Sequence, residues 1–159
     1  MTLNPKNNKF VFFTFLPISF LGFIDASYLT IKHFAGTPIP CSVLRGCEEV
    51  TNSQYSIIGG IPVALLGAVY YLTIFILIFF LLSGRLFSLN SQNGVNENKL
   101  LKFIAYLTII GLLASLWFIY LQIFVIQAIC LYCMFSAFTS LTLFIFGIIV
   151  LKFKSKIIS

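Results

Sequence analysis

The sequence predicts an all-α integral membrane protein: a four-transmembrane-helix bundle with a cysteine-bearing external loop between helices 1 and 2. Its 159 residues are 60% hydrophobic and 9% charged, with 19 Phe, so there is too little polar surface to cover a soluble globule. The charge-free runs provide room for four helices of the roughly 20 residues that cross a bilayer. The basic residues cluster near the ends of these runs, as expected for a multi-pass chain.

The first two helices are bounded by charged or Gly/Ser/Asn-rich sequence, and we predict them over about residues 10–31 and 57–82. The N-terminal apolar segment is longer than a signal-peptide core and lacks a clear small-x-small cleavage site, so it is interpreted as a retained helix. We treat residues 1–159 as a single membrane domain.

The second half of the chain holds 49 consecutive residues without a charge, from 103 to 151. One helix of that length would measure about 73 Å at 1.5 Å per residue, more than twice the bilayer thickness, so the run must fold back once. Gln122 and Gln127 are its main amide interruptions. We therefore expect a turn near residues 126–130, with helices over about 103–126 and 130–151.

Orientation follows from the basic residues, because positive charge near helix ends is retained in the cytoplasm. Only Lys32 and Arg45 fall on one side of the predicted topology. The other eight are Lys6, Lys9, Arg85, Lys99, Lys102, Lys152, Lys154 and Lys156. Both termini should be cytoplasmic and all four cysteines should face the exterior. The net charge of +6 is explained by this topology, and no nucleic-acid partner is needed.

The cysteines form two pairs, one in PCSVLRGCEEV and one in CLYC. An even number on an oxidising side suggests disulfide chemistry, and static structural disulfides are the simplest form of it. Zinc would be a competing use of four thiolates. Structural zinc sites usually have two short Cys-x-x-Cys pairs or added histidines, whereas Cys41 and Cys47 are six residues apart and His33 is the only histidine. No metal site is expected.

Redox chemistry is favoured over static disulfides by the position of Cys130 and Cys133. Residues i and i+3 share one helix face, and the N-terminal dipole and free N–H groups favour a thiolate at Cys130. Cys133 lies a turn deeper in apolar sequence, where an electron-accepting ring against the sulfur would stabilise its thiolate.

The loop pair differs because Cys41 follows Pro40 and Cys47 follows Gly46, so the segment between them can move. Thiol exchange requires one sulfur to approach another in line, and a movable dithiol beside a buried pair is suited to shuttling electrons. Arg45 favours the thiolate form of nearby cysteines, whereas the acidic residues after Cys47 disfavour that form.

These motifs together resemble the vitamin K epoxide reductase family. The resemblance covers roughly residues 20 to 140 and lies in the order and spacing of the motifs: IDASYLTIKHF, Cys41-x5-Cys47, Val50, Ser53, Tyr55, GGIPVALLGAVYY and CLYC. A second family with similar chemistry, the DsbB-type disulfide oxidoreductases, has its two cysteine pairs in the reverse order. The order of the pairs favours the first family.

The resemblance implies a bundle around a quinone, ubiquinone or menaquinone, in the bacterial inner (cytoplasmic) membrane. Electrons would pass from a DsbA-like thioredoxin-fold thiol oxidase to Cys41, then to Cys47 and Cys130, and from the Cys130/Cys133 pair to the quinone, with Cys133 nearest the ring. This would support disulfide formation in exported proteins. Ser53 matches a family Ser/Thr close to the quinone, although a helix-capping role explains it equally well.

Two departures from the family refine the expectation. The vitamin K branch has Tyr where this chain has Ala137, and helix 2 offers no Asn. A quinone-linked thiol oxidoreductase is therefore favoured over a vitamin K quinone or epoxide reductase. Because the chain ends at Ser159, we expect the thioredoxin-fold partner to be a separate protein. A non-catalytic membrane subunit with structural disulfides remains a third alternative.

Two titratable residues near the outer membrane surface have open roles. Asp25 is the one acidic residue inside an apolar span and could support the cysteine loop, approach Lys32, or snorkel to the interface. His33 could take part in proton transfer, but an interfacial histidine at a helix end is ordinary.

Overall fold

The computed structural model describes residues 5–37, 39, 46–87 and 97–158. Four helices in this part of the chain are long and apolar enough to cross a membrane, over Thr14–Ala35, Val63–Phe80, Lys102–Ile126 and Leu131–Ile149. The predicted all-α, four-helix membrane bundle is thereby confirmed.

The elements follow one another along the chain as four long helices with a short folded segment after the first. Their bounds are α1 Pro5–Ala35, α2 Cys47–Thr51, a 3-10 turn Gln54–Ser56, β1 Ile57–Ile58, β2 Ile61–Pro62, α3 Val63–Phe87, α4 Glu97–Tyr120, a π-helix Leu121–Ile126 and α5 Leu131–Ile158. The membrane helices thus begin and end at residues that differ from the predicted bounds by up to seven positions.

The largest local difference lies at the start of the predicted second helix. Residues 57–62 form a two-stranded antiparallel hairpin, in which Ile57 pairs with Pro62. Gly59 and Gly60 have φ of 59° and 83°, as tight hairpin turns require. The apolar isoleucines here belong to a hairpin with exposed side chains, and the helix starts only after Pro62.

The bundle packs α1 against α3 and α5, and α4 against α5. Small residues allow the close approach: a Cβ atom on Gly22 of α1 would lie 2.5 Å from the ring of Tyr71 on α3. The larger buried core of the bundle contains Phe15, Ala26, Ala68, Tyr71, Ile74, Ile78, Ile104 and Leu143. Close packing of small residues is what holds helices together in lipid, where no hydrophobic driving force acts between them.

A second buried cluster lies at the end of the bundle that carries the cysteines. It contains Leu29, Ile39, Cys47, Val50, Ala128 and Cys130. The fold-back expected near residues 126–130 occurs at residues 127–130, after the π-helix, with Gln127 in the left-handed region at φ 56°. This turn and α2 together cover the end of the bundle.

Candidate functional site

Cys130 and Cys133 lie at the beginning of α5 and are both free thiols. Cys130 immediately precedes the helix, is fully buried, and its carbonyl accepts a hydrogen bond of 3.0 Å from the N–H of Met134. Cys133 is one turn further along and half-buried. The structure therefore places the pair on one face at the helix N-terminus, with Cys133 on the membrane side.

Local hydrogen bonds favour a thiolate at Cys130. The S–H group of Cys133 donates to the Cys130 sulfur and lowers the pKa of Cys130 below its ordinary value. The backbone N–H groups of Cys133 and Tyr132 act in the same direction, and burial opposes them. The N–H groups at the helix N-terminus contribute to the lowered pKa of Cys130 as expected, but the neighbouring Cys133 thiol is the larger cause.

Gln122 holds this turn from the π-helix that follows α4, a role that the sequence did not reveal. Its Oε1 accepts a hydrogen bond of 3.0 Å from the N–H of Cys130, and its carbonyl accepts one of 3.2 Å from the N–H of Ala128. The side chain is buried, so removing the amide would leave the N–H of Cys130 without a partner. The available signal was an amide side chain in an apolar run, which Gln122 shares with Gln127.

The loop pair is represented by Cys47, the first residue of α2, which is buried and disulfide-bonded. Cys41 lies outside the described residues. Gly46 packs directly on the backbone before Cys130: a Cβ atom on Gly46 would lie 2.7 Å from the N atom of Ile129 and 2.9 Å from its O atom. The residues next to Cys47 and Cys130 are therefore in contact, and both cysteines belong to one buried cluster.

A cavity of about 370 Å³ lies below the cysteines, between the four membrane helices and the segment after α2. This volume falls within the usual range for small-molecule sites. Most of its lining is apolar, and its polar members are Asp25, His33, Thr51, Ser53, Tyr55, Ser56, Tyr70, Tyr71, Ser115, Gln122, Cys133, Ser136 and Ser140. Cys133 lines the cavity and Cys130 is one helical turn away from it.

Ser53 lies in the cavity wall, and its place near a bound ring stays a prediction. It occupies the N-cap position of the 3-10 turn, but its side chain makes no capping hydrogen bond. Its hydroxyl instead donates to the carbonyl of Val50 at 2.8 Å. This bond satisfies a carbonyl in the last turn of α2, so the helix-capping alternative stays open beside the predicted place near a bound ring.

Asp25 is buried in the same wall, and its Oδ2 makes no hydrogen bond within the described part of the chain. Lys32 makes no hydrogen bond to this oxygen, and its Nζ lies 5.9 Å from the ring centre of Tyr28. His33 lines the outer part of the cavity from the end of α1. Asp25 thus faces the cavity, and snorkelling to the interface does not describe it.

The cavity fits a flat, redox-active ring such as a quinone. It combines apolar walls, a sulfur at the start of a helix, and two buried side-chain oxygens without partners among the described residues, Asp25 Oδ2 and Tyr70 Oη. Such isolated polar atoms in an apolar cavity are typical of groups that fix a ligand's orientation.

Comparison with known proteins indicates the family of the chain and one relative. The sequence model of the Vitamin K epoxide reductase family matches residues 13–148. The chain is also similar to a protein of Arabidopsis thaliana described as Thiol-disulfide oxidoreductase LTO1, with 32% identity over 129 residues. That match covers 79% of this chain and 32% of the relative, so the chain spans about a third of the length of the curated relative it matches.

Proposed function

The chain belongs to the vitamin K epoxide reductase family, and from that premise we propose that it is a quinone-dependent thiol:disulfide oxidoreductase. Its task would be to reoxidise a DsbA-like thioredoxin-fold protein outside the bacterial cytoplasmic membrane, with both termini in the cytoplasm. The electrons would leave to ubiquinone or menaquinone.

One observation carries the proposal: Cys133 borders an apolar cavity between membrane helices, while the turn that holds Cys130 contacts the segment that begins with Gly46 and Cys47. A water-soluble dithiol and a lipid-soluble ring never meet directly. The contact between the segment that begins with Gly46 and Cys47 and the turn that holds Cys130 would provide the connection.

The order of sulfur exchange follows from this arrangement. The thiolate of Cys47, reduced through Cys41, attacks Cys130; the Cys47–Cys130 bond forms, the Cys130–Cys133 bond breaks, and Cys133 is released as a thiolate at the cavity wall. Attack by Cys41 on Cys47 then re-forms the loop disulfide and frees Cys130.

The bound quinone would supply the acceptor for two electrons and two protons. Re-forming the Cys130–Cys133 disulfide releases those two electrons and two thiol protons, so the cycle balances. A thiol oxidase of the DsbA type has a potential near about −120 mV, and its electrons therefore need a more oxidising acceptor. A membrane quinone meets that requirement, and Cys133 borders the space in which it would dissolve.

The alternatives receive less support. A vitamin K quinone or epoxide reductase would gain from a hydroxyl at residue 137, where the structure has a buried Ala137 in the cavity wall. A membrane subunit with only structural disulfides would have no use for a free thiol pair of which Cys133 borders a cavity.

The proposal is tested with purified protein, a reduced thioredoxin-fold oxidase and a quinone whose absorbance is followed over time. We expect turnover that is lost in Cys133→Ala, and activity that survives this change would remove Cys133 from the reaction. The order of the loop pair is tested by trapping: in Cys47→Ser, a mixed disulfide should join Cys41 to the partner. Capture by Cys47 in the Cys41→Ser variant alone would reverse the order.

A further inference from the structure

Tyr70, on α3, has a buried hydroxyl that makes no hydrogen bond within the described residues, and the residue borders the cavity with Cys133. A buried donor without a partner destabilises a fold relative to the same side chain without the donor. A phenylalanine would fill the same volume without that cost. The hydroxyl is therefore expected to find its partner in a ligand.

The adjacent tyrosine shows that hydroxyl partners exist nearby but are already used. Tyr71 Oη lies within hydrogen-bond distance of four oxygens of α5: it donates to the carbonyl of Ser136 at 2.7 Å and is 3.0 Å from Ser136 Oγ, 2.8 Å from Thr139 Oγ1 and 2.9 Å from Ser140 Oγ. The Ser140 hydroxyl is also close to Tyr70, but the two hydroxyls do not form a hydrogen bond. Tyr70 thus borders the cavity beside this network, and its buried hydroxyl makes no hydrogen bond among the described residues.

The position of the Tyr70 hydroxyl is fixed by its neighbours. Its ring packs edge-on against Tyr71 with centroids 5.0 Å apart. Its oxygen lies against the backbone of Gly111 on α4, at a point that a Cβ atom on residue 111 would occupy. Tyr71 in turn is bound to α5, the helix that carries Cys133. The Tyr70 hydroxyl and the Cys133 sulfur are therefore held in fixed positions relative to each other.

The depth of the hydroxyl suits one end of a ring whose other end lies near Cys133. The residues of α5 that bind Tyr71 follow Cys133 by three to seven positions, which is about 4.5 to 10 Å along the helix. Tyr70 is the neighbour of Tyr71 and lies on the same inner side of the cavity. A ring oxygen directed away from the sulfur would meet the phenol.

We propose that the Tyr70 hydroxyl donates a hydrogen bond to the inner ring oxygen of the quinone and fixes the ring against Cys133. This inference rests on the proposed function, since it assigns a partner for the same ligand. Asp25 Oδ2 is the second oxygen without a partner among the described residues, and it borders the cavity from α1. The test therefore distinguishes a hydrogen bond from Tyr70 from one made by Asp25.

The test is infrared spectroscopy of bound quinone with ¹³C at its ring carbonyls, together with titration of quinone binding. A hydrogen bond lowers a carbonyl stretching frequency, so Tyr70→Phe should move one of the two labelled bands to higher frequency. Binding should weaken about fivefold, the factor for one hydrogen bond between neutral groups. Tyr106→Phe, which removes a hydroxyl from an exposed tyrosine of α4, should change neither quantity.

Three results would overturn the assignment. Unchanged bands and affinity in Tyr70→Phe, with wild-type quinone reduction intact, would refute Tyr70 and leave the proposed function standing. A band that moves in Asp25→Asn and not in Tyr70→Phe would give the bond to Asp25. A wild-type protein that binds no quinone would refute the proposed function itself. If Tyr70→Phe does not fold, Gly111→Ala serves in its place, since its methyl group displaces the hydroxyl and should produce the same band shift.

Discussion

Substitution of Gly46 by Ala should slow electron transfer from the loop pair to the inner pair without affecting the chemistry at the cavity. Gly46 precedes Cys47 and packs against Ile129, which precedes Cys130. Its φ of −86° is accessible to any residue, so the effect of Gly46→Ala is steric and not a matter of backbone strain. The added methyl group would separate the two segments that bring the sulfurs together.

The magnitude follows from the contact. The Cβ of Ala would lie 2.7 Å from the Ile129 N atom, whereas ordinary contacts begin near 3.4 Å. The segments must therefore move apart by at least about 0.7 Å, and the obstructing atom is backbone, which cannot rotate away. Misplacement of reacting groups by about 1 Å can reduce a rate roughly 100-fold. We expect internal exchange to slow by about 10- to 100-fold.

The assay is stopped-flow mixing of fully reduced protein with excess quinone. Wild-type protein should form two quinols per chain in two phases, the first from Cys130 and Cys133 and the second after electrons arrive from Cys41 and Cys47. Gly46→Ala should slow the second phase and leave the first within about twofold.

Gly36→Ala is the matched control for this assay. It adds a methyl group in open space at φ 58°, so it costs backbone strain without this contact and should leave both phases unchanged. An unaltered second phase in Gly46→Ala would refute direct exchange between Cys47 and Cys130.

The remaining predictions concern the turn and the core. The pKa of Cys130 is lowered chiefly by the Cys133 thiol, so the rate of Cys130 alkylation should rise with pH at a midpoint below the ordinary value of about 8.5. Cys133→Ala should move that midpoint upward. An identical midpoint in both proteins would contradict this cause. Gln122→Leu should lower the free energy of unfolding by about 1–3 kcal/mol, because the Cys130 N–H loses its partner, while the same change at exposed Gln127 should have little effect in a detergent unfolding titration. Tyr71→Phe should also destabilise the bundle by about 1–3 kcal/mol, because its hydroxyl joins α3 to α5; a melting temperature equal to that of wild type would show that these hydrogen bonds contribute nothing.

The four membrane helices could be predicted because apolar length is a local property. A charge-free run of sufficient length has few alternatives in lipid, and the fold-back in the second half followed from the bilayer thickness alone. The position of Cys130 and Cys133 at a helix start was accessible for the same reason, since it depends on the nearby turn.

Other features depend on partners distant in sequence. The segment from 57 to 62 is apolar enough to extend a helix, and only Gly59 and Gly60, both with positive φ, indicated a hairpin. Tyr70 and Tyr71 are neighbours in the chain, yet the Tyr71 hydroxyl has four oxygens within hydrogen-bond distance and the Tyr70 hydroxyl has no partner among the described residues. That difference arises from which helix each side chain faces, and no local pattern encodes it.

The contacts around the cysteines were inaccessible for the same reason. Gln122 marked a turn in the sequence, but its bond to the Cys130 N–H joins residues on either side of the fold-back. Gly46 appeared to provide mobility to the loop, whereas the structure shows that its missing side chain allows contact with Ile129. Both functions of these residues are set by distances that only the assembled bundle defines.

The central claim is that the inner pair reduces the quinone and the loop pair only supplies it. The most direct measurement uses the Cys41→Ser/Cys47→Ser double variant, reduced beforehand, freed of reductant and mixed with excess quinone. We predict one quinol per chain in a single phase, and no further turnover when reduced thioredoxin-fold protein is added. Failure to form that quinol, or continued turnover with the thiol partner, would contradict the claim.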